Sequence, residues 1–337
     1  MLSDRRRLVL QALVEEYIHS GQPVGSQCLV NRHSLGCSPA TVRNELAALE
    51  ETGYVFQQHV SSGRIPTDLG YREFVDEILR GFGSLPELDA EEIRRRYVEL
   101  AGEIDDLMRQ TSVMVSQLTH YVAVVLAPTV SLARIRRVDL VSMAPRRALV
   151  VLITEGGQVV NRHVELGEEV TPERLAEVER ALNASLAGKR ASEVRSLREA
   201  LDTSRPGDGT VSQVMEELLA CLEEADTDRL YHVGVPELLA LPEFAEAQRL
   251  KPLLGLLEDG LAMLETLSEA MQATGLTVRI GSENRRSELG EMSLVASRYA
   301  TPSSGGIIGV IGPTRMDYTR TIAAVRCAAE GLEDVLG

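Results

Sequence analysis

The 337-residue chain is poor in aromatic residues and in cysteine. It has no tryptophan, and aromatic residues make up only 4% of the sequence. Four scattered cysteines occur without a CxxC pair, and His33 between two of them still leaves a metal site one ligand short. This pattern excludes a disulfide framework and predicts free thiols in a reducing compartment with no bound metal. The cysteines are Cys28, Cys37, Cys221 and Cys327.

Long apolar runs and catalytic signatures are also missing. No run of about 18 apolar residues occurs, and the N-terminus lacks the uninterrupted apolar core of a signal peptide, so we expect a cytoplasmic protein without membrane contact. No G-x-S-x-G, HExxH or kinase motif is present. The glycine-rich stretch GGIIGVIGPTR (305–315) lacks phosphate-loop spacing and is typical of a buried strand. We therefore predict a protein that is not an enzyme and has no cofactor.

Lysine is scarce, and the charge of the chain is unevenly distributed. Only Lys189 and Lys251 are lysines among 35 basic residues, and the net charge is -15. The first 72 residues hold seven arginines and seven acidic residues, so this part is neutral and the remainder carries the whole excess. Attraction to phosphate depends on the local potential, so a neutral N-terminal part can still present a basic face to nucleic acid.

The N-terminal residues have the pattern of three short helices. Apolar spacing predicts an amphipathic helix from Asp4 to about Ser20, which ends at GQPVGS, and a second helix from Ser26 through Arg32. Ser38 is a favourable N-cap for a third helix, with Pro39 at the first helical position. Two helices joined by a tight turn containing glycine are typical of a helix-turn-helix.

The third helix is predicted to have an apolar face and an unusual polar face. Val42, Leu46 and Leu49 repeat at helical spacing and should face the core. Arg43, Asn44 and Ala47 then point outward, near Thr41. Arginine and asparagine are suited to the edges of guanine and adenine, and alanine permits close approach to a surface. The alternative is an ordinary solvated helix face.

A short hairpin is predicted directly after this helix. Gly53 ends the helix, YVFQQ (54–58) and RIP (64–66) have strand character, and a polar loop joins them. A two-stranded ribbon in this position is typical of the wing of a winged helix. We expect Arg64 to be the cation at its tip, with nearby side chains and backbone groups contacting phosphate. The predicted wing residues are His59, Ser61, Ser62, Gly63 and Arg64.

The rest of the chain is predicted to be an α+β, multidomain structure. RGFGSLPEL (80–88) is a candidate linker, and apolar residues from Ile93 to Leu118 then alternate by three and four, which favours helix packing within the chain or against a second subunit. Strand patterns lie between 121 and 166 and again after 275. Between them is a mainly helical region in which RLYHVGV (229–235) is a candidate strand. This order favours one sheet domain split by an insertion.

Five blocks of sequence resemble a known family. They closely resemble the HrcA-type bacterial heat-inducible transcription repressors, and they span both ends of the chain. The blocks are VEEYIHSGQPVGS, SPATVRNELAALEETGY, SSGRIPTDLGYREFVD, IGSEN and IGVIGPTRMDY.

The resemblance implies an architecture and a set of partners. It implies a winged helix-turn-helix domain at 1–80, a GAF-like α/β domain at 81–166 and 275–337, and a mainly helical dimerising domain inserted at 167–274. It also implies a homodimer that binds double-stranded DNA at an inverted-repeat operator upstream of chaperone operons, with a chaperonin that keeps the repressor active until heat shock. Within the matching blocks, the recognition-helix residues would be Ser38, Thr41, Arg43 and Asn44.

Three other interpretations remain open at this stage. The first is a winged-helix regulator that senses a small molecule through its GAF-like domain. The second is an enzyme with an appended DNA-binding domain, and the third is a protein-interaction scaffold that never contacts DNA. A gel shift with an inverted-repeat operator, with and without chaperonin, separates these interpretations.

Overall fold

A computed structural model gives the architecture of the chain over most of its length. Residue 1, two residues within the predicted hairpin loop (60–61), most of the candidate linker and most of the first half of the long predicted helix lie outside the described residues. The structure describes residues 2–59, 62–81, 104–128, 133–155, 159–190, 193–194, 209–227, 229–244, 247–270, 275–300 and 305–336.

The described residues between 2 and 81, here called the head, contain four helices and a short ribbon. The three predicted helices are confirmed as α1 (Asp4–Ser20), α2 (Ser26–Arg32) and α3 (Pro39–Glu51), and α4 (Asp68–Arg80) follows the ribbon. The start of α1 is fixed locally, because the Ser3 hydroxyl accepts a hydrogen bond from the Arg6 amide. Apolar faces of these helices meet in one buried cluster.

The ribbon consists of β1 (Val55–Phe56) and β2 (Ile65–Pro66), which pair antiparallel. Both strands are shorter than the sequence predicts. Arg64 instead forms a β-bridge with Val24, from the turn between α1 and α2. This approach requires glycine at position 63, since a Cβ there would collide with the backbone of Pro23 and Val24. The base of the ribbon is therefore tied to the helices.

The described residues from 104 to 336, here called the body, contain a five-stranded antiparallel sheet with strand order β7-β3-β10-β9-β8. The predicted buried strand is confirmed as β10 at the centre, with every residue buried. The strands are β3 (Val122–Leu126), β7 (Leu230–Val233), β8 (Leu276–Ile280), β9 (Met292–Ala300) and β10 (Gly305–Pro313).

Helices cover both faces of this sheet. Ala123 and Val125 of β3 face a core shared with α5 (Ile104–Thr119) and α11 (Tyr318–Leu336). Val122 and Val124 face the opposite core. That second core is built with α8 (Val235–Leu239), α9 (Ala247–Glu258) and α10 (Gly260–Ala270). The strands are apolar on both sides because both sides are buried.

A separate three-stranded antiparallel sheet, with order β4-β5-β6, lies in the middle of the chain. One face packs against α6 (Pro172–Leu186) and α7 (Gly209–Thr227) to form an independent hydrophobic cluster. The outer edge of β4 is covered by side chains: Asn183 bonds both the amide and the carbonyl of Val138, and Glu179 accepts from the Leu140 amide. The strands are β4 (Ile135–Ala144), β5 (Arg147–Thr154) and β6 (Val159–Glu165).

Sheet membership differs from the division predicted between residues 166 and 167. The strands from Ile135 to Glu165 belong to the separate sheet, whereas the candidate strand Leu230–Val233 joins the five-stranded sheet. Helices from 235 to 270 pack on that same sheet. The reason for the difference is physical: apolar alternation predicts that a segment is a strand, but its partner depends on contacts far away along the chain.

Candidate nucleic-acid interface

The helix α3 begins at a well-formed cap. Ser38 has an extended backbone, and its hydroxyl accepts a hydrogen bond from the Thr41 amide at 3.2 Å. The two hydroxyl groups lie 3.0 Å apart. Pro39 occupies the first turn, where a missing amide hydrogen has no cost. Ser38 and Thr41 therefore fix where the helix starts, and Ser38 remains exposed.

Opposite faces of α3 have the predicted character. Val42, Leu46 and Leu49 are buried in the head. Arg43, Asn44 and Ala47 are exposed. The side chains of Arg43 and Asn44 form no hydrogen bond or ion pair with another residue among those the structure describes. The donors of Arg43 and the donor and acceptor of Asn44 are thus available to a partner molecule.

The acidic residues on the flanks of α3 are paired within the head. Glu45 accepts from Arg6 of α1 at 3.1 Å, with only 18% of its side chain exposed. Glu50 accepts from Arg64 at 2.9 Å and 2.8 Å. These pairs remove two negative charges from the environment of the exposed face. Glu51 at the end of the helix stays exposed.

The ribbon loop is partly closed by its own hydrogen bonds. The Ser62 hydroxyl accepts from the His59 amide at 3.0 Å and donates to the His59 carbonyl at 2.8 Å, and Gln57 donates to the Ser62 carbonyl. His59 is exposed, and Ser61 lies outside the described residues. His59 and Ser62 are therefore adjacent in space.

Arg64 does not project from the tip of the loop, which corrects the expected position. It lies at the base of the ribbon in the bridge to Val24, and its guanidinium is bound by Glu50 with 19% of the side chain exposed. Gly63 beside it is only partly exposed and packs against the same turn. The local loop pattern could not reveal this, because Glu50 and Val24 are brought there by tertiary packing.

The ion pairs that join α1 to α2 and α3 could not be predicted from the sequence. Glu16 of α1 is 7% exposed and accepts from Arg32 of α2 at 2.5 Å. The ring of His33 approaches the same carboxylate at 3.6 Å. Together with the Arg6–Glu45 pair, this contact ties α1 to both helices of the helix-turn-helix. Spacing along the chain does not predict such pairs, since each joins separate helices.

The described part of the chain forms neither a cluster of metal ligands nor a membrane-spanning helix. Within it, no three His, Cys, Asp or Glu side chains come together as a metal-binding group would require. Its helices include none with the length and apolar character needed to cross a membrane.

Comparison with known proteins places the whole chain among repressors. The family described as "HrcA protein C terminal domain" matches residues 105–322. The chain is 40% identical to the heat-inducible transcription repressor HrcA of Beutenbergia cavernae over 100% of both proteins. It is 36% identical to the protein of the same name from Pelotomaculum thermopropionicum, covering 99% of this chain and 97% of that one.

A solved structure of a protein described only as hypothetical is similar over the full length. It superposes with a TM-score of 0.61 at 26% identity and covers 100% of this chain and 99% of its own. The fold similarity extends over head and body together, as does the identity to the repressors. The chain belongs to the HrcA family of heat-inducible transcription repressors.

Proposed function

We propose that this chain represses heat-shock operons by binding double-stranded DNA through its head. In this proposal the head is a winged helix, α3 is its recognition helix and the ribbon is its wing. The protein is a transcription repressor and not an enzyme. Its site of action is the bacterial chromosome, which places it in the cytoplasm.

The exposed face of α3 is the observation that carries the proposal. Arg43 and Asn44 are exposed and have no partner among the described residues, while Glu45 and Glu50 on the same helix are bound by arginines of the head. The free donors and acceptor of Arg43 and Asn44 suit the edges of DNA bases. The pairing of the two glutamates lowers the repulsion that an anionic partner such as DNA would meet at this face. Ala47 leaves room for the groove wall. Ser38 and Thr41 at the helix start, near the phosphates, complete this surface.

The wing contributes to positioning rather than to base recognition in this proposal. His59, Ser61 and Ser62 form the part of the loop that can reach the flanking backbone, and Gly63 and Arg64 hold its base. Hydroxyl and amide donors on phosphate fix the register of a protein on DNA without reading sequence. In this scheme DNA contacts the head alone, and the rest of the chain carries the whole net negative charge.

We further propose that the body assembles two chains. The five-stranded sheet and its helices correspond to the GAF-like domain, and the unit built from β4, β5 and β6 with α6 and α7 corresponds to the dimerising insertion. The face of that unit opposite to its helices carries a cluster of apolar side chains, of which Val141 is 47% and Val159 is 58% exposed. The cluster comprises Val141, Leu149, Val151, Ile153 and Val159.

A homodimer explains an inverted-repeat operator. Two heads related by a twofold axis would place their α3 helices in successive major grooves about 34 Å apart, or a multiple of that distance. Because the two heads are linked, binding of one head to its half-site promotes binding of the other. Paired half-sites are therefore occupied far more than single ones, even when each head binds only modestly. Maintenance of the repressor by a chaperonin, and loss of repression on heat shock, follow from the resemblance alone.

Binding to a chaperone-operon duplex tests the proposal. We expect the parent protein, at 0.15 M salt, to bind an inverted-repeat duplex from upstream of a chaperone operon far more tightly than a scrambled duplex. Arg43→Ala and Asn44→Ala should each weaken binding by about 1 to 3 kcal/mol per half-site. Equal binding of parent and variants would contradict the role of α3. Repeating the titration with chaperonin present tests that partner separately.

A further inference from the structure

Two arginine side chains fasten the head to the body, and the first of these anchors lies near the start of α4. The Arg72 guanidinium donates to both oxygens of Glu283, with Nε at 2.7 Å from Oε1, and also donates to the Val278 carbonyl at 2.7 Å. Glu283 in turn accepts from the Ile280 amide. A bidentate Arg–carboxylate pair constrains orientation as well as distance.

A neighbouring contact strengthens this first anchor. Asp68 accepts from both the amide and the hydroxyl of Ser282, at 2.9 Å and 2.7 Å. Gly281 has a positive φ of 48°, and a Cβ there would collide with the Asp68 carboxylate. The turn 281–283 is thus shaped to receive the first turn of α4. Asp68 also lies where the helix dipole favours negative charge.

The second anchor holds the end of α1. Arg315 of the body donates to the Ile18 carbonyl at 3.2 Å, one of the carbonyls left free at a helix C-terminus, and its guanidinium is also bound by Glu243. Its side chain is only 19% exposed. Because α1 packs directly against α3 and is joined to it by the Arg6–Glu45 pair, this anchor acts close to the recognition helix.

An apolar seam lies between the anchors. Tyr71 of α4 contacts Tyr318 of α11 with ring centroids 5.8 Å apart, and both belong to the hydrophobic cluster shared by head and body. Burial raises the pKa of both phenols, so they stay neutral. The Tyr71 hydroxyl is buried without a hydrogen-bond partner among the described atoms. An unpaired buried hydroxyl has a free-energy cost, so it lowers the stability of the contact between head and body.

We propose that this junction sets the orientation of the recognition helix, with Asp68, Arg72, Glu283 and Arg315 as positioning residues for operator binding. The inference rests on the proposed function. Docking leaves Arg43 and Asn44 exposed, so the junction controls the direction of the head and not the access of DNA to it. If each head is held rigidly on its body, the dimer loses little orientational freedom when it binds two half-sites. Heads joined to the body only by a flexible connection would lose more, and paired-site binding would be weaker.

The segments that meet at the junction support this role. The blocks that carry the family resemblance outside the helix-turn-helix are those containing TDLGYR, IGSEN and IGPTR. In the fold, these three stretches supply Arg72, Glu283 and Arg315. The junction is therefore formed by stretches of head and body that carry the family resemblance.

The test compares two duplexes, one with both half-sites and one with a single half-site scrambled. The double variant Glu283→Ala with Arg315→Ala changes only the body, so α3 keeps its own side chains. We expect about tenfold weaker binding to the paired duplex and a change of less than about twofold for the single half-site. Glu291→Ala is the matched control, since Glu291 is exposed and has no described partner.

A charge exchange distinguishes positioning from a general loss of stability. Arg72→Glu alone should weaken paired-site binding, and Arg72→Glu combined with Glu283→Arg should recover part of it, since the ion pair is restored but the bonds to the Val278 carbonyl and the Ile280 amide are not. Unchanged paired-site binding in the Glu283→Ala/Arg315→Ala protein overturns the inference, as does equal weakening on both duplexes or a gain of affinity. If the double variant unfolds, absence of recovery in the exchanged pair overturns it instead.

Failure of the parent to bind the paired duplex overturns this inference and the proposed function together, whereas the other outcomes leave the proposed function standing.

Discussion

The head and the body leave different kinds of surface uncovered. In the head, α3 exposes Arg43 and Asn44 while its acidic neighbours are bound internally. In the body, the sheet of β4, β5 and β6 exposes a face on which apolar residues such as Val141 and Val159 lie beside the Arg137–Asp139 ion pair, whereas the five-stranded sheet is covered on both sides. A polar face with free donors suits a nucleic acid, and an apolar face suits another protein surface. The comparison supports the proposed roles, which are DNA recognition for the head and assembly for the body.

The largest effect is expected from charging the apolar face of the body. Val151→Lys places an ammonium group at the centre of that face, beside Asp139 on the neighbouring strand, so the monomer tolerates it. Burying this charge at a dimer interface would cost about 3 kcal/mol or more. Under the proposed assembly, we expect the parent to sediment as a dimer and the Val151→Lys variant to sediment as a monomer at the same concentration. Leu254→Lys, at an exposed leucine of α9, is the control and should leave the dimer intact.

The next effect concerns the polar face of the head. Arg43→Ala should reduce operator affinity by about 1 to 3 kcal/mol per half-site and relax base preference at one position of each half-site. Fluorescence anisotropy with a set of single-base operator variants measures both quantities. Arg136→Ala removes the same charge from an exposed site in the body and should change neither. Undiminished base preference in the Arg43 variant would show that another side chain reads that base.

A smaller effect is expected at the base of the wing. Because Arg64 is bound by Glu50, Arg64→Gln and Glu50→Gln should each lower the free energy of unfolding by about 0.5 to 1 kcal/mol, as other partly exposed pairs do. The salt dependence of operator binding should stay as in the parent. A phosphate contact by Arg64 would instead reduce the slope of log K against log salt by about one, and only in the Arg64 variant.

The smallest effect is expected from the remaining exposed acid of α3. Glu51 has no partner among the described residues and lies at the end of α3, the proposed recognition helix. Glu51→Gln removes a negative charge near the DNA and should increase affinity for operator and unrelated DNA alike, by a few tenths of a kcal/mol. A parallel titration of both duplexes measures the change. A specific gain for the operator would mean that Glu51 lies against a base.

Local signals predicted the head well. Ser38 with Pro39, and Ser3 before α1, fix helix starts through contacts within three residues, so sequence alone locates α1 to α3. The faces of α3 follow from its period, and Val42, Leu46 and Leu49 are buried as predicted. The position of Arg64 could not be predicted this way, because Glu50 and Val24 reach it only after the helices pack.

Long-range pairing limited prediction of the body. The segments RALVVLIT and YVAVVLAP are both strands, but the first is half-buried in one sheet and the second fully buried in another. The two segments differ little in apolar content. Which strands pair depends on complementary faces of segments that lie far apart in the chain, so the local pattern does not predict the partner. The junction was missed for the same reason, since Arg72 and Glu283 are separated by 211 positions.

The side-chain cover on the edge of β4 has a consequence for assembly. Asn183 and Glu179 occupy backbone groups of Val138 and Leu140 that an incoming strand would need. Two copies can therefore meet at this unit by stacking sheet on sheet, but not by extending a shared ribbon at that edge. Pairing of the β4 edge of one copy with the β6 edge of the next is head-to-tail and can continue without limit, so the same two residues oppose growth of a fibre through this unit.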